Sequence, residues 1–134
     1  MCGRFTLLRP PNELAEAFDL DGVPELAPRY NVAPTQTVLT LRSGASGREW
    51  ALMKWGLVPS WCADAKGAAK LINARSETAA KKPAFRSAFK KRRCVVPADG
   101  FYEWLLVGRK KQPQHFSLRD GRVFGFASLW ELWE

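Results

Sequence analysis

Frequent glycine and proline, 10 and 9 among 134 residues, cut this chain into short apolar runs, and that punctuation narrows the folds open to it. Residues 4–8 read as a first short strand. Residues 38–42 and 49–55 read as a hairpin around the turn 43–47, and 101–107 with 114–118 as another around 108–111. Residues 94–96 form a short buried strand and 123–130 an apolar one. Helices are few. Pro10-Pro11-Asn12 opens one, with Leu14, Ala17 and Phe18 at i, i+3, i+4 as its buried stripe. Helical stretches begin at 76–80 and 83–89, while 21–34, with its prolines, reads as extended loop. Many short strands without regular βαβ alternation predict an α+β fold, a curled antiparallel or mixed sheet or a barrel-like core with a few flanking helices.

The length fits a single domain over 1–134 with room for a core. Lysine and arginine outnumber aspartate and glutamate by 21 to 13, a net charge of +8, which points to a polyanionic partner, usually nucleic acid. A basic protein without such a partner is the alternative. Most of the six tryptophans are expected in the core, and any left exposed would suit unpaired bases. No stretch approaches the ~20 apolar residues of a membrane span, and the N-terminus lacks a secretory apolar run. Three cysteines without CxxC spacing and one histidine predict neither a zinc site nor disulfides, hence a reducing, cytoplasmic setting.

Cys2 is the first candidate for chemistry. Once Met1 is removed, Cys2 carries an α-amine and a thiol on adjacent carbons. Such an aminothiol condenses with an aldehyde to an imine, which the sulfur closes to a thiazolidine. The ordinary pKa values of both groups leave some of each nucleophile free near neutral pH. From this residue alone, the more ordinary reading of a lone cysteine is a small buried hydrophobe. Glu103 is the second. The period of two sets Phe101, Glu103 and Leu105 on one face of a strand and Tyr102 and Trp104 on the other, so its carboxylate lies among apolar groups and suits proton transfer. An edge glutamate reaching solvent is the competing reading. Asn73 closes an apolar run and either orients a substrate oxygen or caps the turn containing Ser76. Arg75, Arg86 and the basic run 90–93 are phosphate contacts or a solvated face. Trp55 and Trp61 bracket a shaped loop. His115 reads as structural, in an alternating strand.

The runs Cys-Gly-Arg-Phe at 2–5, Tyr-Asn-Val-Ala-Pro-Thr-Gln at 30–36, Trp-Gly-Leu-Val-Pro-Ser-Trp at 55–61, Ile-Asn-Ala-Arg-Ser-Glu-Thr at 72–78, Arg-Cys-Val-Val-Pro-Ala-Asp-Gly-Phe-Tyr-Glu-Trp at 93–104 and Lys-Gln-Pro at 111–113 resemble, in this order, the motifs of the SRAP family (SOS-response-associated peptidase), abasic-site processing proteins. The resemblance implies the SRAP fold and a covalent sensor of abasic sites in single-stranded DNA, with no metal or organic cofactor. It makes Cys2 the nucleophile, Asn73 the group that orients sugar and amine, and Glu103 the general acid/base. Arg4 and Arg75 would contact phosphates, Asn31 and Pro34 would shape the groove, and Trp61 would stack on bases beside the lesion. It also implies a nucleoid-associated, cytoplasmic protein, and a monomer is expected. The family's catalytic histidine lies in a His-Asp-Arg-Met-Pro-like motif beyond Glu134, and its role does not pass to His115. The domain is therefore expected to continue past Glu134, with Leu129, Trp130, Leu132 and Trp133 exposed until it does. A cysteine peptidase whose Cys2 cleaves an amide, at the least the Met1–Cys2 bond, is the alternative activity. A third is a non-covalent single-strand binder.

Overall fold

The computed structural model describes residues 2–67 and 70–134, so Met1, whose removal the sequence reading requires, lies outside the described residues. The elements are β1 Phe5–Leu7, α1 Pro11–Phe18, β2 Arg29–Val32, β3 Thr37–Gly44, β4 Gly47–Lys54, α2 Ser76–Ala79, α3 Arg86–Lys91, β5 Arg93–Ala98, β6 Gly100–Val107, β7 Lys110–Phe116 and β8 Phe124–Leu129. The strands form two antiparallel four-stranded sheets, ordered β2-β1-β6-β7 and β4-β3-β5-β8. Two compact units follow: Met1–Ala33 with Pro97–Gly125, and Pro34–Val96 with Phe126–Glu134.

In the first unit β1 is an inner strand. Phe5 pairs with Val32 on one side and Phe101 on the other, and all three β1 residues are buried. Two-residue turns need positive φ, and Gly108 supplies it at +62° where β6 turns into β7. The register then runs from Val107↔Lys110 to Phe101↔Phe116. β7 is an outer strand carrying Pro113 and two lysines, which blunt an edge against further pairing. α1 buries Leu14 and leaves Phe18 half-buried.

The second unit is built on the β3–β4 hairpin, in register from Thr37↔Lys54 to Gly44↔Gly47. Val38 to Leu41 are buried in succession, as befits a strand covered on both faces between β4 and β5. Ala79, Phe85, Ala88 and Cys94 complete its buried apolar set.

Asp99, buried between β5 and β6, ties the end of β1 in place. Its carboxylate accepts from the Thr6 hydroxyl at 2.6 Å and from the backbone N–H groups of Leu8 and Arg9 at 2.5 and 3.1 Å, while its own N–H donates to the Thr6 carbonyl at 3.0 Å. Removing a charged acceptor strands several part-buried donors at once, so Asp99→Ala should destabilise the protein by about 3 kcal/mol, read from chemical denaturation. Asp99→Asn, which keeps one acceptor oxygen, should cost less. Equal stability of Asp99→Ala and the parent protein would show that water replaces the carboxylate.

Several expectations change. Neither sheet closes into a barrel, because pairing ends at β2 and β7 in one and at β4 and β8 in the other. β2 lies in the segment read as loop; Arg-Tyr-Asn-Val between prolines becomes a strand only because β1 offers it an edge. Ala17 faces solvent, so the stripe of α1 is narrower than its periodicity implies. α3 begins at Arg86, after Phe85. None of the six tryptophans is fully buried, and Trp61 is 67% exposed. An indole needs a partner for its N–H, which part-burial supplies more easily than a small aliphatic core. Leu129 and Trp130 are half-buried rather than exposed, with the Arg42 guanidinium 4.5 Å from the Trp130 ring. Leu132 and Trp133 are exposed, and the Trp133 indole donates to the Cys62 carbonyl at 2.8 Å.

Candidate functional site

The first unit gathers Cys2, Arg4, Asn31 and Glu103 around the start of β1. Cys2 is half-buried and its thiol donates to the Arg4 carbonyl at 3.3 Å. That carbonyl also accepts the Tyr102 N–H at 2.9 Å, which carries the β1–β6 ladder one step past Phe5. The Arg4 guanidinium donates to Asn31 Oδ1 at 3.3 Å, joining the N-terminal segment to β2. Tyr102 secures β2 a second time, its hydroxyl donating to the Tyr30 carbonyl at 3.1 Å.

Burial pushes the Cys2 thiol above its ordinary pKa, and the Glu103 carboxylate adds to the rise; the Arg4 backbone works against both. Glu103 is half-buried on β6 opposite Gln114. Burial and the Glu103 charge both keep the sulfur as a thiol at neutral pH. Of the other cysteines, Cys94 is buried and raised to about 11 by that burial, against the lowering effect of Arg42. Cys62 is half-buried, and no disulfide joins any of the three cysteines.

Asn73, Arg75, Trp61, Arg86 and Pro34 belong to the second unit. Asn73 is half-buried in the segment leading to α2, and exposed Arg75 stands at the N-terminal boundary of that helix, its carbonyl accepting from Thr78 and Ala79. The N-cap of that helix is Arg75, which makes no side-chain cap hydrogen bond. Trp61 projects from the loop after Pro59, and Arg86 is the exposed first residue of α3. Pro34 opens a turn in which Thr35 takes φ +72°, an unusual conformation for a β-branched residue.

An aromatic cluster not legible in the sequence lies on β6 and β7. Tyr102 lies 5.0 Å from the His115 ring and 6.4 Å from the Trp104 ring, and Trp104 is 44% exposed. Period-two alternation already placed Tyr102 and Trp104 on one face; the missing signal was that this face stays open. His115 is exposed and reaches Thr6 Oγ1 at 3.3 Å, across Gly100, where any Cβ would collide with its imidazole.

Among the described residues no group of three or more His, Cys, Asp or Glu is placed to hold a metal, and no helix is long and apolar enough to cross a membrane.

The model of the SOS response associated peptidase (SRAP) family matches residues 1–134. The chain is 43% identical over 137 residues to the abasic site processing protein YoqW of Bacillus subtilis, covering 99% of this chain and 61% of that protein. It is 36% identical to the abasic site processing protein YedK of Escherichia coli, covering 96% of this chain and 59% of that protein. The chain thus spans about three-fifths of the length of these relatives. A solved structure of a protein from Bacteroides thetaiotaomicron superposes with a TM-score of 0.82 at 25% identity, covering 96% of this chain and 61% of that one. A second, from Bordetella bronchiseptica, gives 0.79 at 28% identity, covering 97% and 64%. With its whole length matched by the family model and its fold shared with these structures, the chain belongs to the SOS response associated peptidase (SRAP) family.

Proposed function

We propose that the protein captures abasic sites in single-stranded DNA covalently, through Cys2 freed by removal of Met1. The observation that carries this reading is the Cys2 thiol hydrogen-bonded to the Arg4 carbonyl, with the Arg4 guanidinium joined to Asn31 and the Glu103 charge near enough to raise the thiol's pKa. The ring-opened abasic sugar presents an aldehyde. The α-amine of Cys2 adds to it and a water leaves, forming an imine. Sulfur then adds to the imine carbon, the thiol proton passes to nitrogen, and the ring closes as a thiazolidine. Glu103 is suited to shuttle protons in both steps. Asn73 would orient the sugar and the amine. Relatives named abasic site processing proteins, and a net charge of +8, support a DNA substrate. A domain that is monomeric, extends through 1–134 and works without metal or organic cofactor completes the proposal, in the nucleoid-associated cytoplasm.

The test is to mix the protein with single-stranded DNA bearing one abasic site and run a denaturing gel. A heat-resistant shifted band supports covalent capture. Tight native binding without that band would leave a non-covalent binder, and release of Met1 alone would favour the peptidase reading that the family's description keeps open.

Binding and capture separate by charge and by stacking. Arg75→Ala should weaken binding to single strands of any sequence and reduce the log–log salt slope by roughly 0.7, the share of one phosphate contact. Trp61→Ala should cost about 1–3 kcal/mol, the worth of one stacked base, and leave that slope unchanged. Fluorescence anisotropy across a salt series checks both, and silence of both substitutions would move the strand elsewhere. The open Tyr102–Trp104–His115 cluster, one ladder step from Arg4, is the natural second stacking surface.

A further inference from the structure

We propose that Trp55 is a positioning residue for Asn73, acting through the indole N–H that it donates to the Ile72 carbonyl. The inference rests on the role assigned to Asn73 above. The Trp55 indole reaches the Ile72 carbonyl at 2.8 Å, and the Leu57 N–H reaches the Leu71 carbonyl at 3.0 Å. The carbonyl of Ile72 and the N–H of Asn73 belong to one planar peptide unit, so holding one end of that plane sets the direction in which Asn73 leaves it.

Trp55 is itself well held. Its carbonyl accepts the Thr35 N–H at 2.8 Å and its N–H donates to the Gln36 carbonyl at 3.0 Å, which extends the β3–β4 ladder beyond Thr37↔Lys54. On the far side of Asn73, the Arg75 carbonyl accepts from Thr78 and Ala79 at 3.1 and 2.8 Å as α2 begins. Asn73 and Ala74 therefore span two fixed points, a rigid hairpin before and a helix start after. Half-burial of Trp55 fits this work, since an indole can pack its ring while its N–H donates to the Ile72 carbonyl. Thr35 contributes from the strained turn, whose amide is aimed at Trp55 by a φ that threonine seldom adopts.

Trp55→Phe removes the donor and keeps most of the ring. Capture of a single-stranded abasic oligonucleotide should slow by roughly ten-fold or more, since small displacements of an orienting group cost catalysis heavily. Affinity for the same oligonucleotide without a lesion should stay within about two-fold, because no phosphate contact is touched. The decisive readout is the double mutant. In an Asn73→Ala background, Trp55→Phe should slow capture no further, because the group it positions is gone. A further slowing in that background equal to its effect alone would overturn the proposal, as would an unchanged rate for Trp55→Phe by itself. If Trp55→Phe folds poorly, a benzothiophene analogue introduced at residue 55, which has the indole's shape and no N–H, must give the same pattern. A wild-type rate for Asn73→Ala alone would instead bring down the assignment of Asn73 on which this inference stands.

Discussion

Cys2→Ala and Cys2→Ser should abolish the heat-resistant crosslink to an abasic oligonucleotide, the largest effect expected of any single substitution here. Only at residue 2 can a thiol and a free α-amine share adjacent carbons, so neither other cysteine can form the five-membered ring. Cys94 is in addition buried, with its thiol raised to about 11, far from the thiolate that attack requires. Cys62→Ala and Cys94→Ala should therefore leave capture intact. The alanine variant retains the amine, and an imine trapped by borohydride should persist after the stable adduct is lost. That residue separates the two steps of the mechanism. A full-strength, unreduced crosslink from Cys2→Ala would falsify the thiazolidine.

The second large effect belongs to Glu103→Gln, which should slow capture by roughly 10²-fold or more, the usual worth of a positioned general acid–base. Affinity for undamaged single strands should change little. A structural glutamate could also slow the reaction if its loss loosened the fold, and thiol titration distinguishes the cases. The Glu103 carboxylate helps hold the Cys2 thiol above its ordinary pKa, because a neighbouring negative charge disfavours the thiolate. Neutralising it must move the midpoint of Cys2 alkylation to lower pH, as followed by mass spectrometry of the N-terminal peptide. The variant would then have a more readily ionised thiol and a slower reaction. Slower capture with an unmoved midpoint and a lowered melting temperature would make Glu103 structural.

Local chemistry made much of this molecule legible from sequence. The turns at Gly44–Gly47 and Gly108 are encoded by glycine's freedom at positive φ, so both hairpins were readable, and strand alternation placed Glu103 opposite to Tyr102 and Trp104 on β6. The ordered motifs identified the family and directed attention to Cys2, Asn73 and Glu103. These features depend on neighbours a few residues apart, where the chain's own geometry decides.

What remained hidden depends on which distant surfaces meet. The pairings Phe5↔Phe101 and Leu41↔Val95 join segments far apart in the chain, and they make two open sheets where a barrel was equally compatible with the strands. β2 exists because β1 has an edge to fill, not because Arg-Tyr-Asn-Val has a strong preference of its own. Asp99 became an anchor only when folding brought Thr6, Leu8 and Arg9 to its carboxylate, and Trp55 a support only when its indole met the Ile72 carbonyl. The sequence by itself determined the turns, the strand faces and the reactive residue types. Tertiary structure alone decided which strands pair, which tryptophans stay open and which polar groups hold the site, because each depends on burial and hydrogen-bond partners that no local stretch contains.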